Sequence, residues 1–277
     1  MNFTTTLGCS LLLIAATTPL LAQDSADADA PAADTPALLW SSDGDISLSG
    51  RHALYQLVLT AQRSGSPDQD ASTVASYSTT PEGIVRVEPD GLIRVLGDGE
   101  TTITASFQGA RIDRRIKVTR ASESLPISFP NEIVPIFTRH GCNGGGCHGK
   151  AEGQNGFKLS LLGFEPEDDH GYLVQEARGR RIFRAAPEHS LLLLKGSGDL
   201  PHQGGSRLDR NGDDYKTLVR WIRQGLSYGP ENDPAVTGIE VEPRERLTQA
   251  GATQQLRVVA RFSDGSTKDV THIAQYE

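Results

Sequence analysis

The chain has 277 residues, 37% of them apolar and 22% charged, with 29 glycines and a formal net charge of −8. This is the composition of ordinary soluble globular protein, with length for about two domains. The acidity is gathered near one end and no basic stripe is present, which argues against a nucleic-acid partner.

Residues 1–22 carry no charged side chain, contain the apolar run Leu11-Leu12-Leu13-Ile14-Ala15-Ala16 and end on Leu20-Leu21-Ala22. They read as a secretory signal peptide, although the first residues lack Lys or Arg. The protein is therefore expected to be exported, to the periplasm or the cell surface. Residues 23–43 hold Asp24, Asp27, Asp29, Asp34 and Asp43 in an Ala/Asp/Pro-rich stretch, which predicts a disordered acidic linker. Cys9 lies in the segment expected to be removed, so Cys142 and Cys147 are the only thiols of the mature chain.

An internal repeat follows. Gln56 to Ser78 aligns without gaps to Gln255 to Glu277, with identities that include Gln56/Gln255, Ala61/Ala260, Asp70/Asp269 and Tyr77/Tyr276. In the first copy, apolar and polar residues alternate around Ile84, Ile93, Ile103 and Ile116, with glycine turns at Gly91 and Gly97-Asp98-Gly99. Short alternating strands between turns predict a small β-sandwich over 44–120. The second copy, 236–277, holds only part of this pattern. It is expected either to belong to a longer protein or to need another chain for order.

Between the copies, residues 125–229 lose the alternation. Ile133, Val134 and Phe137 precede a cysteine pair, Pro187-Glu188 opens Ser190 to Leu194, and Tyr215, Leu218, Val219 and Ile222 recur at helical steps. These signals predict an all-α module.

The pair itself is Cys142-Asn143-Gly144-Gly145-Gly146-Cys147-His148. A histidine directly after the second of two nearby cysteines is how covalent c-type haem is held, though the usual gap is two residues and here it is four. Glycines in the gap are expected to bulge out through positive φ so that both sulfurs reach one porphyrin. A Cys142–Cys147 disulfide and a zinc site with His148 fit the same spacing.

Two resemblances bear on these readings. Gly91-Leu92-Ile93, Gly97 to Thr104, and Phe262 to Thr267 with Asp269-Val270-Thr271 resemble group-2 bacterial Ig-like domains, complete in the first copy and partial in the second. Phe137 to Cys142, Cys147-His148-Gly149, Gly156 to Leu161, Gly179-Arg180-Arg181, Pro187 to Lys195, Pro201 to Gly205 and Trp221 to Gly225 resemble the planctomycete-type cytochrome c-like domain. Those relatives tend to carry the same four-residue gap. The resemblance implies one covalent haem c, anchored by Cys142 and Cys147 and ligated by His148. The expected architecture is multidomain: an all-β Ig-like sandwich, an all-α cytochrome c-like module, and a partial second Ig-like unit.

Small cytochromes often use methionine as the sixth iron ligand, but the one methionine of the sequence is Met1. Leu200-Pro201 falls where many small cytochromes have Met-Pro, and His202 follows, so His202 is the expected second axial ligand, ahead of His140, His170 and His189. Arg178, Arg180, Arg181 and Arg184 read as a solvated face, with pairing to haem propionates as the alternative. Glu165, Glu167, Asp168 and Asp169 read as a solvated loop. No serine–histidine–acid arrangement, P-loop or dinucleotide fingerprint occurs. The expected function is electron transfer to and from a redox partner protein. The alternative is a cell-surface binding or structural protein whose Ig-like modules engage a glycan or protein. A haem enzyme with a vacant sixth position is the weaker third.

Overall fold

Alternating side chains become strands along the whole first module. In the computed structural model, which describes residues 35–276, these are β1 (Ala37–Trp40), β2 (Ile46–Ser49), β3 (Leu54–Gln56), β4 (Leu59–Gln62), β5 (Gln69–Asp70), β6 (Ser76–Thr80), β7 (Val85–Val87), β8 (Leu92–Val95), β9 (Gly99–Phe107) and β10 (Ala110–Thr119). A four-stranded sheet, in the order β2-β10-β9-β6, is faced by two three-stranded sheets, β3-β8-β7 and β1-β4-β5. Ile103 and Ala105 lie two apart on β9, hence on one face. Ile103 packs with Tyr55, Ile93 and Ile116, and Ala105 with Leu38, Leu59 and Ala61. Both smaller sheets therefore cover the same face. The β9–β10 hairpin turns on Gln108 and Gly109, both at positive φ (48° and 85°), as a two-residue turn matched to strand twist requires.

β1 starts inside the stretch read as disordered linker. Leu38 is buried against β4, and that packing orders a segment whose composition alone predicts disorder. The signal peptide and the linker up to Asp34 lie outside the described residues.

The repeat is reproduced hydrogen bond for hydrogen bond. Ser72 Oγ accepts from the Leu59 amide (2.9 Å) and Thr271 Oγ1 from the Val258 amide (2.8 Å). The Asp70 carboxylate accepts from the Ser72 amide, as Asp269 does from the Thr271 amide. The Tyr77 hydroxyl donates to the Ser72 carbonyl, and that of Tyr276 to the Thr271 carbonyl. The second copy forms one antiparallel sheet of β11 (Val236–Glu242), β12 (Arg257–Phe262) and β13 (Thr267–Asp269). The copies also bind each other reciprocally: the Gln56 amide donates to Asp269 Oδ2 (2.8 Å) and the Gln255 amide to Asp70 Oδ2 (2.6 Å). Such an exchange between equivalent residues marks a self-complementary contact.

The central segment corrects the expected fold. It is not an all-α cytochrome c-like module: the described chain is mostly β-sheet, in four sheets, and 19% helical. Helix in 125–229 is limited to α1 (Val134–Arg139), α2 (Pro166–Val174), α3 (Leu191–Gly196) and α4 (Asp213–Arg223), with a few single turns between long loops. The apolar periodicity does mark helices, but left-handed backbone at Leu162, Ala177 and Arg178 and at several glycines ends each within a few turns. α4 is the longest, with Asp213 and Asp214 at its positive end and Tyr215, Leu218, Val219 and Ile222 buried. Trp221 packs on Phe129 (ring centroids 5.4 Å apart) in a core that includes Ile136, Phe137, Leu159 and Leu193. Ile273, from the second repeat, is buried in this same core, and Arg94 of β8 pairs with Asp213 (2.7 Å). The central segment is thus held by both β units.

Candidate functional site

The cysteine motif follows α1 and is shaped by main-chain bonds. The Cys142 amide donates to Phe137 O (2.8 Å), Cys147 to Gly144 O (2.9 Å) and His148 to Cys142 O (3.0 Å). The expected use of glycine is corrected in its mechanism. Gly141 takes positive φ (70°), while Gly144, Gly145 and Gly146 do not. Close approach is what the loop demands instead: a Cβ on Gly149 would lie 1.9 Å from Asn143 O. Asn143 is buried, with its amide donating to Thr138 Oγ1 (2.8 Å) and its carbonyl accepting from the Leu162 amide, so it pins the loop to its neighbours. Its Oδ1 is buried without a partner.

Cys142 and Cys147 are free, partly buried thiols. Burial, with the Cys147 charge second, pushes the Cys142 thiol up to about 11. Among the described residues no three His, Cys, Asp or Glu side chains converge as a metal-ion site.

His148 and His202 come together from distant loops. Their rings are inclined by only 7° with centroids 6.1 Å apart. Each ring fixes its tautomer the same way: Nδ1–H of His148 donates to Phe157 O (3.0 Å) and Nδ1–H of His202 to Gly205 O (3.2 Å). Neither Nε2 has a protein partner among the described residues, so both keep a lone pair. Burial is the main influence on His148 and lowers its pKa, which favours the neutral, ligating form. Gly204 lies against the His202 ring, where a Cβ would come within 2.8 Å.

Two of the other candidate ligands, His140 and His170, are committed elsewhere. His140 Nε2 bonds Asp214 (2.7 Å), and His170 Nε2–H donates to Leu226 O (2.7 Å) between Phe129, Trp221 and Tyr228. Those bonds leave their Nε2 atoms unavailable.

Two residues read as solvated prove buried. Arg181 donates to the carbonyls of Tyr172 (2.7 Å), Glu176 and Gly156 and lies over the Phe157 ring, which in turn packs on His148 (4.5 Å between centroids). Asp169 accepts from the amide and hydroxyl of Ser160. Carbonyls of Tyr172, Glu176 and Gly156 satisfy Arg181, and the amide and hydroxyl of Ser160 satisfy Asp169, pairings that residue types alone do not reveal.

A haem c fits these residues. Carbonyl acceptors on both Nδ1 atoms are the outer partners that ligating histidines use. Two free thiols precede His148 in sequence, one of them directly. Leu161, beside Gly145, and Leu162 leave apolar surface exposed next to the loop. No protein-family model matches the chain, and no curated protein matches it significantly.

Proposed function

We propose that this chain is an exported c-type haem protein that transfers electrons, with a haem c joined to Cys142 and Cys147 and ligated by His148 and His202. The observation that carries the reading is the pair of near-parallel imidazoles, each with Nδ1 on a carbonyl and Nε2 free. Bound haem supplies one-electron chemistry at its iron. The chain's part is to orient: Phe157 O and Gly205 O hold each tautomer, and the Asn143 loop sets Cys147 and His148 next to each other. With both His148 and His202 as ligands the group would offer no protein-free position to a substrate, which favours a carrier over an enzyme. The uncharged leader at 1–22 supports export, and the β modules, which resemble Ig-like domains, would hold the carrier at the periplasmic or cell-surface site where a redox partner meets it. A disulfide-stapled binding protein draws less support, since both thiols are free.

The test is the absorption spectrum of His202→Ala made in a host that attaches haem. Wild type should be low-spin, and the variant should turn high-spin and bind cyanide more readily. An unchanged low-spin spectrum removes His202 from the iron.

A further inference from the structure

A cleft of about 590 Å³ opens where the loop after β2, helix α4 and the segment after β13 meet, away from the cysteine motif. Seven cationic side chains and three carboxylates line it, in a chain whose net charge is −8. All three carboxylates are engaged: Asp213 with Arg94 (2.7 Å), Glu132 with Lys268 (3.1 Å) and Glu188 with Arg223. Arg210 pairs with Asp199 outside the lining. Arg51, Lys216 and Arg220 remain, with no carboxylate within 4.0 Å among the described residues.

Arg220 is the distinctive member. Its one hydrogen bond is a long contact to Thr217 Oγ1 (3.4 Å), and its Nε is buried without any partner. Burial lowers the pKa of this guanidinium, and Glu132 and Asp213 offset that only from a distance. A half-buried cation whose Nε is sealed from water without a partner is costly, and the missing acceptor is of the kind a guanidinium fork binds best, a planar or tetrahedral oxyanion. A cleft of one sign with low-dielectric walls also concentrates counter-ions. His52, at the rim, feels the same positive field: its pKa is lowered by burial and then by Arg220 and Arg51.

We propose that this junctional cleft binds a small polyvalent oxyanion of the phosphate or sulfate type, held by Arg220 with Lys216 and Arg51. Its occupancy would tie the first module, the central segment and the second repeat together. The site is independent of the haem reading, because no residue of the motif and neither His148 nor His202 lines it.

The experiment is calorimetric titration of the full chain at fixed ionic strength with inorganic phosphate, sulfate and glycerol 2-phosphate. Saturable binding to wild type should weaken at least tenfold in Arg220→Met and several-fold in Lys216→Gln, but stay unchanged in Lys117→Gln, a solvated cation elsewhere. Tighter binding of the ester than of free phosphate would identify an organic ligand; equal binding would identify the free ion. Arg220→Met should also melt no lower than wild type without anion, since it removes a half-buried cation that has no carboxylate partner. Absence of saturable binding by wild type, wild-type affinity in Arg220→Met, or an equal loss in Lys117→Gln would overturn the proposal.

Discussion

Asp269→Ala is the sharpest test of how the second repeat is held. Its carboxylate accepts from the Gln56 amide (2.8 Å), Arg257 Nε (3.0 Å), the Thr271 amide (3.0 Å) and Thr271 Oγ1 (2.7 Å), and its side chain is 3% exposed. Removing it orphans a buried amide and strips one partner from a guanidinium that is itself 12% exposed. Breaking a buried ion pair costs about 3–5 kcal/mol. Because Arg257 keeps Glu242 (2.8 Å), the lower end applies, about 3 kcal/mol. Asp70→Ala removes the reciprocal bond to Gln255 but no ion pair, so about 1–2 kcal/mol is expected. Urea denaturation gives the two costs, and hydrogen exchange at the Gln56 amide reports the contact locally. The reasoning is refuted if Asp269→Ala costs no more than Asp70→Ala, or if the Gln56 amide keeps its protection in Asp269→Ala.

Gly149→Ala should force the motif loop open, because the new methyl cannot sit 1.9 Å from Asn143 O; about 1–3 kcal/mol of destabilisation and a clear loss of haem attachment are expected, read by melting and by pigment yield. In the apo protein, alkylation of Cys142 should climb about tenfold per pH unit until near 11, because burial raises its thiol and only the thiolate reacts; a plateau near pH 9 would contradict this. Arg181→Ala should destabilise the central segment by about 1–3 kcal/mol, since three carbonyls lose a buried donor; urea midpoints check it. His140→Ala should leave the haem spectrum unchanged, as its Nε2 is bound to Asp214.

The strands and the repeat were legible because period-two alternation and turn glycines are local signals; Ile93, Ile103 and Ile116 all proved buried. The repeat's hydrogen-bond network follows from Asp70/Asp269 and Tyr77/Tyr276, side chains whose identity is visible in both copies. The central segment misled. Its helical periods are real over α3 and α4, but left-handed backbone at Ala177 and Arg178, residue types that do not advertise it, follows α2, and glycines at positive φ, Gly141, Gly198 and Gly225, follow the other helices and keep them short. His148 was marked by its motif, and the absence of methionine outside Met1 led to His202, which the structure brings beside it. Arg181, Asp169 and the Arg220 cleft were hidden, because burial of a charge depends on partners many residues away.

The most direct measurement is the mass of the denatured full-length protein, coexpressed with haem-attachment factors. One haem should remain covalently bound and disappear when Cys142 and Cys147 are both replaced by alanine. A colourless wild-type product, or one lighter by only two hydrogens as a disulfide requires, would contradict the account.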